Sequence, residues 1–164
     1  MPTTSTLDEI DPLALENQVC FALAITNRAV LAVYRPLLEP LGLTHPQYLV
    51  MLTLWDHLKE SGQDRNPLSV KRIATALQLD SATLSPMLKR LEALGLITRT
   101  RSVSDERSTD VELSERGVAL RERALQIPPA VVARLGVDLA ELEELRRVLT
   151  RINTAALAAG ALEI

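Results

Sequence analysis

Among the 164 residues there is a single cysteine, Cys20, and its thiol is the most reactive group that the composition offers. Thiol chemistry proceeds from the thiolate, so a reactive cysteine must ionise, stay reachable and lie near hydrogen-bond donors. Cys20 stands in Asn17-Gln-Val-Cys20-Phe21-Ala-Leu23, beside apolar neighbours. Two readings follow. Cys20 is either a packed cysteine acting as a small hydrophobe, or a sensor that oxidises to a sulfenic acid. One cysteine excludes an intrachain disulfide, and with only two histidines a cysteine-based zinc site is not expected. No metal and no cofactor is expected. Without a second thiol in the chain, an oxidised Cys20 would go on to a mixed disulfide with a low-molecular-weight thiol, to a sulfenamide, or to overoxidation.

A second group of residues suits nucleic acid. Ser81, Thr83, Ser85, Lys89 and Arg90 lie between leucines that recur at helical spacing. A helix entering the major groove needs short polar or charged side chains on its outer face. The hydroxyls reach base edges or phosphates, and the two cations reach phosphates, adding salt-sensitive affinity. Further along, Asp105 and Arg107 occupy a polar tip. An arginine on a protruding hairpin enters a narrow minor groove, where the potential is most negative. Asp105 would orient that guanidinium by a bidentate contact. The plain alternative for an Asp-Glu-Arg triplet is a solvated charged turn.

Charge distribution agrees with a DNA-facing centre. Net charge is −3, but residues 65–110 hold eight Lys/Arg against five Asp/Glu, leaving ten against sixteen elsewhere. A basic middle between acidic ends faces phosphate while the rest stays soluble. Hydrophobic residues make up 47% and aromatics 2%, a balance that fits a helical core of Leu, Ala and Val. No basic-then-apolar leader opens the chain, and no apolar run is expected to span a bilayer. A cytoplasmic protein with no membrane partner is expected.

The elements that must position these groups can be read from caps and periodicity. Residues 1–12 carry Pro2 and Pro12, show no period, and read as a loose arm. A helix is expected from about Leu13 to Leu38, ended by Pro40 and Gly42. Thr44 with Gln47 forms a capping box for the next helix, with Pro46 in its first turn. Residues 60–67 read as a polar loop. Two short helices follow, the first capped by Ser69 and the second by Asp80 or Ser81, joined by the tight link Gln78-Leu79-Asp80. Pro86 lies about a turn into the second and would bend or loosen it. Ile97–Arg101 and Thr109–Leu113 alternate as a β-ribbon with its tip at residues 102–108. Ser114 caps a helix to about Gln126, Pro128-Pro129 interrupts, and a last helix starts near Asp138.

Asp105-x-Arg107-x-x-x-Val111-x-Leu113-Ser114-x-x-Gly117 resembles the wing signature of the MarR family of bacterial regulators. Leu88-Lys-Arg-Leu-Glu-Ala-Leu-Gly-Leu-Ile97 is similar to that family's recognition-helix ending. The order of elements matches too. Glu16 to Trp55, including Cys20-Phe21-Ala22-Leu23, Asn27-Arg28, Tyr34-Arg-Pro-Leu-Leu38 and Pro46-Gln-Tyr-Leu-Val-Met-Leu52, closely resembles the OhrR branch. Those repressors sense organic hydroperoxides through one N-terminal cysteine. The resemblance implies a mainly α fold with a small β-wing. Residues 1–40 and 118–164 would form a helical dimerisation region around a winged helix-turn-helix lobe at 41–117. It also implies a homodimer on a palindromic double-stranded operator, which releases the DNA when Cys20 is oxidised by an organic hydroperoxide.

Tyr34 lies fourteen positions after Cys20, on about the same helix face. At about 1.5 Å per residue the two are roughly 21 Å apart along the axis, so they cannot touch within one helix. Contact requires an antiparallel helix from a second protomer. The resemblance implies that contact, with the Tyr34 hydroxyl donating to the sulfur. The family usually has a tyrosine just before the second helix's proline, where this chain has His45, and another one turn after the cysteine, where it has Ala24. His45 could donate to a thiolate, and an imidazolium there would lower the thiol pKa; its plain role is a solvated first-turn residue. Tyr48 reads as a core filler. Two other functions remain: a MarR-type repressor for a small aromatic ligand with a structural Cys20, and a thiol peroxidase. The peroxidase lacks a resolving cysteine and a helix N-terminus cradling the thiol, so no enzyme activity is expected.

Overall fold

The computed structural model describes residues 11–62 and 67–161. The expected arm over residues 1–12 falls mostly outside them, as do residues 63–66 of the expected polar loop. A 3-10 turn at Leu15–Asn17 leads into helix α1, Val19–Leu38. The helix starts later than its apolar pattern suggests because Gln18 is extended, with φ −86° and ψ 115°. A second 3-10 turn, Glu39–Leu41, ends at Gly42, whose φ of +73° suits a residue without Cβ.

Helix α2 spans His45–Glu60. Its capping box forms as expected: the Thr44 N–H donates to Gln47 Oε1 at 3.0 Å and the Gln47 N–H to Thr44 Oγ1 at 3.5 Å. A two-residue strand, β1 (Leu68–Ser69), precedes α3 (Val70–Leu77) and α4 (Ser81–Ala93). Ser69 caps α3 and Asp80 caps α4. Between them Gln78 is left-handed, at φ 53°. Helix α4 runs unbroken through Pro86, so the expected loosening does not occur. Strands β2 (Ile97–Arg101) and β3 (Thr109–Leu113) form the ribbon, and the antiparallel sheet has the order β1-β3-β2.

Helices α5 (Glu115–Ala124), α6 (Ile127–Leu135) and α7 (Leu139–Ala158) complete the chain. Helix α6 was not expected. Pro128 and Pro129 open it rather than interrupt the chain, because the first helical turn has no use for their missing N–H groups.

One core is built from α2, α3, α4 and the sheet, and is closed by Leu38 of α1, Leu120 and Ala124 of α5, and Ile127 and Val131 of α6. Val50, Met51, Ile73, Leu84, Leu88, Leu91, Ile97 and Val111 are at most 2% exposed. Burying each such side chain contributes about 1.5–3 kcal/mol. The wing is anchored at Ser114, whose Oγ donates to the Gly95 carbonyl at 2.6 Å and accepts from the Gly117 N–H at 3.0 Å. Gly117 has no room for a side chain: a Cβ would sit 2.0 Å from the Leu96 carbonyl oxygen. Its own carbonyl accepts from Trp55 Nε1 at 2.9 Å, tying α2 to the start of α5.

The two ends of the chain differ from this lobe. Leu38 is the one buried residue of α1, and α7 has none, while Val19, Leu23, Ile25, Leu145, Leu149 and Ile152 are exposed. Contrary to the expectation that no apolar run reaches membrane-spanning length, Val19–Leu41 does so by length and composition, with almost none of it covered in one protomer.

Candidate functional site

Helix α4 buries Leu84, Leu88 and Leu91 and turns its other side outward. Ser81 and Ser85, one turn apart, line a groove of about 410 Å³ together with Asp105 and Arg107 from the wing. The fold therefore brings the two sets of sequence-predicted residues to one surface. Lys89 and Arg90 stand exposed on the same helix, outside that groove.

Thr83 lies on the other flank and is committed to its cap. Its backbone N–H donates to Asp80 Oδ1 at 2.7 Å, and its hydroxyl donates to Asp80 Oδ2 at 3.0 Å. These bonds hold the Asp80 carboxyl below its ordinary pKa. The expected ion pair between Asp105 and the Arg107 guanidinium does not form. Asp105 Oδ1 instead accepts the Arg107 backbone N–H at 3.0 Å, which shapes the wing tip and leaves the guanidinium outside that bond.

The second cluster lies where α1 meets α2. The Tyr34 and His45 rings meet edge to face with centroids 4.9 Å apart, and Tyr48 stands 6.1 Å from Tyr34 and 6.3 Å from His45. Tyr48 is 3% exposed, so it fills core as well as completing the cluster. Burial raises the Tyr34 phenol and lowers the His45 imidazole. Burial also raises Tyr48, with a smaller push from Tyr34. Both Tyr34 and His45 are therefore neutral at neutral pH, and each has a proton to donate. A charged His45 acting on a thiol is not what this environment favours, and His45 is a half-buried ring rather than a solvated first-turn residue. Cys20 is not in this cluster. It is exposed at the second residue of α1, so a helix N-terminus does adjoin the thiol, contrary to expectation, and it lies far along the helix from Tyr34.

The chain matches the family described as Transcriptional regulator SarA/Rot over residues 32–123. It is 42% identical over 147 residues to the organic hydroperoxide resistance transcriptional regulator of Bacillus subtilis, covering 90% of this chain and 92% of that protein. This chain belongs to the MarR family, on the branch of the organic hydroperoxide resistance regulators. Among solved structures, reduced AbfR bound to DNA, from Staphylococcus epidermidis, superposes with a TM-score of 0.72 at 32% identity, covering 88% of this chain and 94% of that one. The disulfide form of AbfR superposes with a TM-score of 0.57 at 33% identity, covering 88% and 91%.

The winged face of this MarR-family chain carries two cations that sequence reasoning missed. Lys71 of α3 and Arg99 of β2 line the same groove as Ser81, Ser85 and Arg107. Arg99 is held by Glu92 at the end of α4: its Nε and Nη2 donate to Glu92 Oε2 at 3.0 and 2.6 Å, and its N–H to Oε1 at 3.3 Å. The bonds from Arg99 keep the Glu92 carboxyl below its usual range. No spacing rule joins a helix end to a strand seven residues on. The only signal available was an acid and an arginine flanking the Gly95 turn.

Proposed function

We propose that this chain is a homodimeric, cytoplasmic DNA-binding repressor that senses organic hydroperoxides by oxidation of Cys20 and then releases its operator. The observation that carries the reading is the position of Cys20: an exposed thiol on the N-terminal part of α1, where Val19, Leu23 and Ile25 have no cover within the protomer. Regulators of this family are dimeric, and a partner covering α1 and α7 accounts for their exposed leucines and isoleucines. Residues 1–40 and 118–164 then form the dimer arm, and 41–117 the DNA lobe. An antiparallel α1 from the partner brings one protomer's Cys20 towards the other's Tyr34–His45 pair.

The chemistry is that of a thiolate. The Cys20 sulfur attacks one peroxide oxygen, an S–O bond forms and the O–O bond breaks. Sulfur is oxidised by two electrons, and the hydroperoxide leaves as an alcohol after its alkoxide takes a proton. A small cellular thiol then attacks the sulfenic sulfur, forming a mixed disulfide and releasing water. Tyr34 and His45 donate to the anionic sulfur and hold it for attack. On the DNA side, Ser81, Thr83, Ser85, Lys89 and Arg90 meet the major groove, and Asp105 and Arg107 shape and supply the wing. Half-sites one helical turn apart, about 34–36 Å, suit such a dimer, and a bulky adduct at the α1 interface disturbs that spacing.

A second reading rests on a cleft of about 190 Å³ lined by Tyr48, Leu52, Trp55, Leu125 and Pro128, where α2 faces α5 and α6. A small aromatic ligand there would move the lobe with Cys20 left structural. Gel-shift on a palindromic duplex separates the two. Cumene hydroperoxide abolishes binding by the wild type and spares Cys20→Ser. Equal responses of both proteins overturn the redox reading, and catalytic peroxide consumption over many turnovers per Cys20, beyond the three equivalents that overoxidation to a sulfonic acid takes up, indicates an enzyme.

A further inference from the structure

Thr83 stands at the opening of α4, exposed, in the part of the helix that enters the major groove in the proposed DNA complex. A free threonine hydroxyl both donates and accepts, so by itself it tells bases apart poorly. Here it is not free. The Asp80 carboxylate accepts the Thr83 N–H at 2.7 Å through one oxygen and the Thr83 hydroxyl at 3.0 Å through the other. A carboxylate has no proton to give, so the direction of the second bond is fixed: threonine donates inward, and only oxygen lone pairs face outward.

We infer that Thr83 is a base-discriminating residue whose hydrogen-bond polarity is set by Asp80, so that it selects a base with an exocyclic amino group in the major groove. Adenine N6 and cytosine N4 are the donors available there, while guanine O6 and N7 and thymine O4 only accept. The same geometry keeps Thr83 from donating to a phosphate. Among the described residues Ser81 and Ser85 have no such carboxylate partner, and they keep both polarities. Asp80 is thus a positioning residue as well as a cap. At the pH of the cell it remains ionised, since its bonds to Thr83 lower its pKa.

The inference rests on the DNA-binding reading and has a test of its own. Asparagine caps a helix as well as aspartate does. In Asp80→Asn the amide oxygen accepts the Thr83 N–H, and the amide nitrogen takes the place of Oδ2 and donates to the Thr83 oxygen. The threonine proton then points outward. Reduced wild type, Asp80→Asn, Thr83→Ser and Thr83→Val are each used to select from a randomised palindromic duplex library. One position in each half-site is expected to favour A or C with wild type by roughly fivefold, the weight of one net hydrogen bond. Thr83→Ser keeps that preference, Thr83→Val levels it, and Asp80→Asn moves it away from C towards the bases that carry an acceptor, G and T foremost. The Asp80→Asn result is one that mere loss of a cap would not give. Enriched palindromes whose base preferences are the same for wild type and Asp80→Asn at every position overturn the inference and leave the DNA-binding reading intact. Failure of wild type to enrich any palindrome overturns both.

Discussion

Tyr34 and His45 qualify as donors to a sulfur anion because burial keeps both neutral. The histidine carries a cost that a phenol in its place would not. Its folded pKa lies below its ordinary value, so the unfolded chain binds the proton more readily. Stability is complete above the unfolded histidine pKa, about 6.5, and declines as pH falls from there towards the folded value. Thermal melts followed by circular dichroism from pH 7.5 to 5.5 should show a steeper loss for wild type than for His45→Phe. Equal slopes would mean that His45 is not desolvated. Asp80 and Glu92 act in a more acid range. Their folded pKa values are lowered, so the stability they add is present above the ordinary carboxylate pKa and fades as pH falls through the folded one. Sequence reasoning found Tyr34, His45 and Thr83 as residues. It could not find that the Thr83 hydroxyl is spent on Asp80, or that Asp105 binds a backbone N–H instead of a guanidinium, because those facts depend on the rotamers that each turn permits.

At the scale of elements, Gly117 is the position with the least tolerance. It lies in the first turn of α5, against the sheet, and any Cβ collides with the Leu96 carbonyl. Backbone cannot retreat as a flexible side chain can, so Gly117→Ala should destabilise by about 1–3 kcal/mol, the usual cost of overpacking, or more. Urea denaturation measures this, and a change within about 0.5 kcal/mol, as for an ordinary surface substitution, would mean that the contact relaxes freely. The elements that sequence revealed were those with local signals. Thr44 and Gln47 announced α2, Ser114 announced α5, Asp138 announced α7, and alternation located both ribbon strands. Strand β1 was not legible because its two residues pair only with the distant Val111 and Asp110. Helix α6 was hidden because a proline pair reads equally well as a break or as a first turn. Lys71 and Arg99 join the groove between α4 and the wing through tertiary packing, which one-dimensional spacing does not encode.

At the scale of the whole molecule, the chain's charge and apolar surface are segregated: basic groups around the wing, unpartnered leucines on α1 and α7. The dimer reading predicts that Leu149→Asp, on the exposed face of α7, yields monomers in analytical ultracentrifugation and loses palindrome binding. The mutant should keep its helical circular dichroism, because Leu149 contributes nothing to the core. A dimer of unchanged affinity would remove α7 from the interface. Trp55 adds a practical property at this scale. It is the only tryptophan in the chain, and its indole N–H is bonded to the Gly117 carbonyl where the wing passes into the helices behind it. Wild-type protein therefore carries a native fluorophore at the joint between its two working halves. Its emission wavelength reports, without dye or label, whether that joint is dry and closed while oxidant or operator is titrated in.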